Sequence, residues 1–399
     1  MAAIIIFLAV YLVLALGRLP GFRVDRTGAC IIGASLMIAF GVLDLGEAYA
    51  AINYDTIILL FGVMIVVANL RLSGFFSAVA EWVVEHAHRP IVLLAAIVFV
   101  AGFFSAFFVN DTMCLVLTPL VLEISRHLRR NAVPYLLAVA MAANIGSVAT
   151  ITGNPQNMMI GSFSGIGYRT FAAVLSPVAV IGLVMTVAVI AATYHREFRL
   201  QEKVALDRRP VRVNRALMWK SLAVSGGMIA LFFAGWPVPK VAVMAGALLL
   251  VTRRLKPERV YREIDWSLLV LFIGLFIVVA GVEKTALPGD LLGVTQRFHL
   301  ERVVVLSVFA ALLSNIVSNV PAVLLFKPFI VHMADPVRSW LTLAMSTTLA
   351  GNLTILGSVA NLIVIQRARH EAPISFWEYF KVGAPLTVLT IFVGVVLLS

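Results

Sequence analysis

The sequence is short of charge. Only 13% of its 399 residues are Asp, Glu, Lys or Arg, against about 25% in soluble domains. A chain of this length has room for two or three soluble domains, but it lacks the polar surface to coat them. Cysteine is nearly absent. Cys30 and Cys114 both lie in apolar segments, so no disulfide framework is expected. The start, Met1-Ala-Ala-Ile-Ile-Ile, carries no basic stretch, and Leu16-Gly17-Arg18 is a poor cleavage site. The first apolar run therefore reads as a retained helix and not as a signal peptide. No Gly-rich Lys-Ser/Thr loop occurs, which excludes a self-contained ATP-driven pump.

What the sequence does contain is apolar residues, 61% of the total, with a mean hydropathy of +1.00. They fall in runs long enough for spans, since roughly 20 residues cross about 30 Å of hydrocarbon. The fold class is an all-α integral membrane protein with the lipid bilayer as partner. Net charge is +11. In a soluble protein that balance points to nucleic acid, but here the basic residues sit between apolar runs, where topology accounts for them. Nucleic acid is not expected as a partner.

Two pairs of runs lack room for an aqueous loop. Segments 90–109 and 112–125 are separated by Asn110-Asp111, and 302–318 and 320–333 meet at Ser318-Asn319-Val320-Pro321. A polar break at membrane depth is tolerated only where it lines a cavity. Each pair therefore reads as a re-entrant hairpin, leaving ten transmembrane crossings, five on each side of a basic linker at 195–218. With that linker placed in the cytoplasm, loops on its side hold 24 of the 31 Lys and Arg residues, as the positive-inside rule requires. Both termini then fall outside the cytoplasm. Phe75, Phe76, Val79, Trp82 and Val83 recur at helical spacing beside Glu81 and Glu85, as in a helix lying along the interface. A second such stretch is expected over 283–300.

The two halves repeat each other. Thr150-Ile151-Thr152-Gly153-Asn154-Pro155-Gln156-Asn157 aligns on Thr354-Ile355-Leu356-Gly357-Ser358-Val359-Ala360-Asn361 at a shift of 204. Asn110 and Pro119 align on Asn319 and Pro328 at a shift of 209, and Ile65-Val66-Val67-Ala68 on Ile277-Val278-Val279-Ala280 at a shift of 212. Five crossings per copy is an odd number, so the two copies are inverted. The first repeat spans 1–194, with scaffold at 1–89 and a transport hairpin and broken helix at 90–165. The second spans 219–399, with scaffold at 219–300 and transport elements at 301–366. Inverted repeats with broken helices at matching positions point to a secondary transporter with its site at the midplane.

Interrupted helices in lipid need partners for their freed backbone groups, and a transporter's cargo can supply some of them. Candidate solute ligands are Asn110, Thr112, Thr150, Thr152, Asn154, Gln156 and Asn157 from one half and Ser318, Asn319, Thr354, Ser358 and Asn361 from the other. All are neutral amides and hydroxyls that donate and accept. Gly153, Pro155 and Gly357 suit backbone leaving a helix. Asp111 stands at a hairpin tip, where an ionised carboxylate costs about 2.5–3.5 kcal/mol; that favours a bound cation or an exchangeable proton, and hence ion coupling. A cation would fall among Asn110, Asp111 and Asn154. Capping of the following helix is the plainer role for Asp111. Cys114, one turn away, reads as a small buried hydrophobe. Glu123 and Lys327 are expected to reach for water, and Asp55 and Asp265 to complement helix dipoles. No catalytic constellation or resident cofactor is evident.

At Val109-Asn110-Asp111-Thr112, Thr152–Asn157 and Gly351–Asn361 the sequence resembles the arsenite/antimonite permease family of the ion transporter superfamily, which also holds divalent-anion/sodium symporters and sodium/proton antiporters. The likeness runs in order along nearly the whole chain. It implies a scaffold domain, a mobile transport domain, and substrate ligands at Asn110 and Asn319. It also implies residence in the cytoplasmic (inner) membrane of a bacterium or archaeon, and it is compatible with a homodimer and with a separate ATPase subunit. The chain departs from the Ser-Asn-Thr tips of the divalent-anion relatives. The extra carboxylate of Asp111, with no Arg in the motifs, disfavours a dianion. The leading expectation is thus proton-coupled efflux of arsenite or antimonite by alternating access. A sodium/proton antiporter and a sodium-coupled small-anion symporter are the alternatives.

Overall fold

The computed structural model describes residues 1–18, 21–87, 89–198, 213–285 and 298–399. Among these are twenty α-helices and two short 3-10 turns. Six of the helices are long and apolar enough to cross a membrane: Tyr54–Leu72, Pro90–Phe107, Tyr168–Thr193, Arg215–Phe233, Trp266–Glu283 and Phe376–Leu398. Shorter apolar helices, among them Ala2–Leu16, Arg26–Ala39, Ala132–Ser147 and Val238–Leu250, complete the bundle. The helix expected along the interface forms at Phe75–His86, with Phe76 and Val83 buried and Trp82 exposed. Its expected counterpart at 283–300 lies largely outside the described residues, as does most of the linker at 195–218.

Both hairpins are present as helix pairs with almost no connection. Pro90–Phe107 gives way to Asn110–His127 through extended backbone at Phe108. Val303–Val317 gives way to Asn319–Ile330 through Ser318 alone. The second arm of each hairpin carries an internal proline, Pro119 or Pro328. Each proline removes a backbone donor and crowds the preceding turn, which bends the arm.

Matching positions in the two halves do matching work. Asn53 caps Tyr54–Leu72 by accepting from the Thr56 N–H, and Asp265 caps Trp266–Glu283 by accepting from the Leu268 N–H. Both cap and donor are 212 residues apart. Asp265 therefore meets its expected place at a helix start, whereas Asp55 sits inside the first turn and leaves the cap to Asn53. Tyr54–Leu72 packs on Val238–Leu250, and Trp266–Glu283 packs on Arg26–Ala39. At these crossings a Cβ on Gly62 would lie 2.5 Å from the Ala242 backbone, and one on Gly274 would lie 2.8 Å from the Cys30 backbone. Gly62 and Gly274, like Cys30 and Ala242, are again 212 apart. Small residues let helix backbones touch where lipid supplies no hydrophobic push.

Ion pairs tie the loops together. Arg71 pairs with Glu263, Arg126 with Glu371, and Lys284 with Glu47. Among the described residues no ion pair joins loops that the basic-residue bias places on opposite sides. Lys327 departs from expectation. Its side chain is partly exposed, and its ammonium is not free but lies 3.0 Å from the Glu283 carboxylate and 5.1 Å from the centre of the Phe163 ring.

Replacing Gly62 or Gly274 by Ala should lower stability by about 1–3 kcal/mol, the usual cost of overpacking. Gly226→Ala, in a helix with nothing within 4 Å of the new methyl, should leave the melting temperature unchanged or raise it. Thermal unfolding in detergent, followed by far-UV circular dichroism, checks both.

Candidate functional site

The two broken helices are built alike. Ala132–Ser147 ends, Thr150 turns extended, Ile151–Gly153 makes one 3-10 turn, Asn154 is again extended, and a new helix starts at Pro155. Pro336–Ala350, Thr354, Ile355–Gly357, Ser358 and the helix Val359–Ala368 follow the same course. Such a break frees carbonyls that have no water to turn to. The motif's last residue satisfies them. Asn157 Nδ2 donates to the carbonyls of Ser147 (3.0 Å) and Thr150 (3.1 Å). Asn361 Nδ2 donates to those of Gly351 (2.7 Å) and Thr354 (3.0 Å), the same two positions 204 residues on. The motif glycine leaves room for the fold-back. A Cβ would stand 2.1 Å from the Ser147 oxygen at Gly153 and 2.9 Å from the Gly351 oxygen at Gly357.

Asn144, buried in an otherwise apolar stretch of Ala132–Ser147, joins these parts. Its Oδ1 accepts from Asn110 Nδ2 (2.9 Å) and from the Ser358 hydroxyl (3.0 Å). Its Nδ2 donates to Asn352 Oδ1 (2.9 Å) and Asn361 Oδ1 (3.0 Å). All four valences of the amide are thereby used. Thr348 holds the equivalent position in the other half, and its hydroxyl accepts from Asn154 Nδ2 and Gln156 Nε2, both at 3.2 Å. The contacts are reciprocal: Asn144 meets Ser358, and Thr348 meets Asn154. Asn319 sits between the Gly357 carbonyl and Gln156. With its nitrogen turned to that carbonyl (3.2 Å), its oxygen accepts from Gln156 Nε2 (3.1 Å).

Where the two hairpin tips and the two helix breaks converge lies a cavity of about 80 Å³, lined by Asn110, Asp111, Gln156, Ser318, Asn319 and Ser358. Pro321 also borders it, and the Tyr11 hydroxyl donates to the Pro321 carbonyl at 3.1 Å. Asn110 is 3% exposed, and its amide oxygen has no hydrogen-bond partner. Ser318 holds φ 78° and ψ 161°, a region nearly confined to glycine and costing of order 1–3 kcal/mol. Asp111 lines this cavity together with Ser358 and Val359, at the positive end of the helix Val359–Ala368. A second cavity of about 60 Å³ adjoins the first at Asp111 and Leu268, and there Asp111 and Thr112 meet Arg71, Glu263 and Asp265.

The residues singled out in the sequence thus divide. Asn110, Asp111, Gln156, Ser318, Asn319 and Ser358 come together on the main cavity, with Pro155 in its wall. Thr112 faces the neighbouring one. Asn154, Asn157 and Asn361 hold the breaks together instead, Thr152 bonds to the Tyr168 hydroxyl at 2.9 Å, and Thr354 lies 3.5 Å from Asn315. Asn154 does not join Asn110 and Asp111 on the cavity, so the cation set expected from those three is not assembled. Asp111 does not cap its own helix, which starts at Asn110 without a side-chain cap.

A family model described as citrate transporter matches residues 9–350. The chain belongs to the CitMHS citrate transporter family. That places it in the ion transporter superfamily and makes it a multi-pass membrane transporter. It is 31% identical to the silicon efflux transporter LSI3 of Oryza sativa subsp. japonica, over 95% of this chain and 93% of that one. It is 23% identical to a transporter named arsB from Dictyostelium discoideum, over 93% and 87%. In fold it is similar to the crystal structure of the YdaH transporter of Alcanivorax borkumensis, with a TM-score of 0.63 and 15% identity over 99% of this chain and 95% of that one. The likeness to arsenite permeases therefore holds at the level of the superfamily, and the family itself is CitMHS.

One CitMHS cavity residue escaped the sequence. Arg26, at the first turn of Arg26–Ala39, lies on the cavity wall, and its Nε has no hydrogen-bond partner. The expectation that no arginine serves the motifs is corrected, because the fold brings Arg26 beside tips more than eighty residues away. Asn144 was missed too, although a lone Asn within Met141-Ala142-Ala143-Asn144-Ile145 is itself a signal. Asn157→Ala and Asn361→Ala should each cost about 1–3 kcal/mol by stranding buried carbonyls. The two losses should be similar in size, as read from melting temperatures of the purified variants.

Proposed function

We propose that this CitMHS transporter is a proton-coupled exporter of a small, uncharged, hydroxyl-rich metalloid acid, of the silicic or arsenous acid type. The observation that carries this reading is the main cavity. Set in an apolar wall, its polar lining is amides and hydroxyls that both donate and accept, one of them (Asn110) with a free acceptor, together with a single carboxylate, Asp111, and the Arg26 guanidinium. At about 80 Å³ it has room for a few waters or a solute of similar bulk, and a tricarboxylate would need the hairpin tips to part. The silicon efflux activity in the name of the rice relative supports a hydroxylated neutral cargo, with arsenite as one member of that class. Asp111 takes up a proton when the cargo leaves and gives it up when the cargo enters on the other side.

The reciprocal contacts at matching positions support two inverted repeats of five crossings, with scaffold at 1–89 and 219–300 and transport elements at 90–165 and 301–366. Arg26 and the first turns of Trp266–Glu283 border the main cavity, and both belong to the side richer in Lys and Arg. The cavity in this conformation therefore opens to the cytoplasm. Towards the other side, Phe276 meets Phe163, which meets Trp340, and the Lys327–Glu283 pair lies beside them.

A second reading, an anionic carboxylate cargo, is favoured by Arg26 alone, since a guanidinium offers a bidentate site for a carboxylate. Everted vesicles or proteoliposomes decide between the two. With an imposed proton gradient, uptake of silicic acid or arsenite should exceed that of citrate, and Asp111→Asn should abolish its dependence on the gradient. Citrate uptake that collapses in Arg26→Gln, with silicic acid and arsenite ignored, would overturn the first reading in favour of the second.

A further inference from the structure

The two cavities that meet at Asp111 differ in chemistry. The main one offers amides and hydroxyls to a solute. The smaller one offers none of the amides, and its polar lining is Asp111, Thr112, Arg71, Glu263 and Asp265 set in a wall of aliphatic side chains. At about 60 Å³ it can hold a short file of waters, each needing at least about 10–15 Å³. A solute with several hydroxyls would find too few partners there.

Within that cavity the carboxylates are not equivalent. Glu263 is committed to Arg71. Asp265 is exposed, uses Oδ1 to cap its helix at Leu268 (2.9 Å), and has no cationic partner among the described residues. Asp111 and Asp265 line the same small cavity. Arg26 lies on the other cavity and Cys114 one turn along from Asp111, so Arg71, Glu263 and Asp265 complete the charged surroundings of Asp111.

We propose that Asp265 is the relay carboxylate for the coupling proton, so that the proton leaves Asp111 by one route while the solute reaches the site by another from the same side. The step is a transfer through water: the O–H bond of protonated Asp111 breaks, a water accepts that proton while passing one of its own to the Asp265 carboxylate, and Asp265 then releases it to bulk solvent. No electrons move and no other reactant is needed. The separation has a physical use, because a cargo seated in the amide cavity would otherwise block the only wet path to Asp111. This inference rests on Asp111 being the coupling residue.

Asn caps a helix as well as Asp does, so Asp265→Asn keeps the bond to Leu268 and removes only the titrating group. In proteoliposomes, proton-driven solute uptake by this variant should fall about ten-fold or more relative to solute–solute exchange at equal pH, given the 10²–10⁴ that positioned proton transfer contributes. A small weak acid such as formate, able to enter the 60 Å³ cavity, should restore part of the loss in a concentration-dependent way. Asp265→Ala, which also loses the cap, should add a fall in melting temperature that Asp265→Asn lacks. Wild-type proton-driven uptake in Asp265→Asn, with Asp111→Asn uncoupled, would overturn the relay and leave the coupling role of Asp111 standing. Intact coupling in Asp111→Asn would overturn both.

Discussion

Inside hydrocarbon, a backbone N–H or C=O that leaves its helix has nothing but the protein itself to bond. That constraint shapes the centre of this transporter. Two helices are interrupted beside the central cavity, and each interruption strands carbonyls at its upstream end. The residue types of the Thr-Ile-x-Gly-x-x-x-Asn motif answer that need in turn. The glycine lets the chain fold back onto the preceding helix end, and the final Asn donates both its amide hydrogens to the stranded carbonyls. Part of the polarity repeated between the two halves is therefore structural upkeep, and another part lines the cavities.

Asn144 joins the two halves. Because it bonds at once to Asn110 in the first hairpin and to Ser358, Asn352 and Asn361 around the second break, the tip of one half is fixed relative to the broken helix of the other. Asn144 itself is fully satisfied, and a buried amide bonded on all sides in this way rigidifies what it joins. The seam between the hairpins and broken helices and the helices around them includes a hydrogen bond from Tyr11 to Pro321, two between Asn53 and Ser162 and the Lys327–Glu283 pair.

Much of this was legible in the sequence, for reasons that can be named. The hairpins were visible because Asn110-Asp111 and Ser318-Asn319 leave no room for a loop, and the breaks because the same eight-residue pattern appears twice. The division of labour within the pattern was not visible. Thr152, Asn157 and Asn361 look like ligands in a list of polar residues, and only the path of the backbone shows that they bond inward. Arg26 was hidden for the opposite reason: it stands in a short basic loop where topology already accounted for it, and its place on the cavity depends on packing between distant helices. Gly62 and Gly274 likewise read as ordinary apolar sequence until the crossing helices are seen to touch there.

Tyr11 gives the seam a particular character. Its ring is buried against Phe7 and its hydroxyl reaches the second hairpin just past the strained Ser318. The phenol thus ties the first helix to the second tip at the place where its backbone is least ordinary, so Ala2–Leu16 is fastened beside the most strained turn of that hairpin.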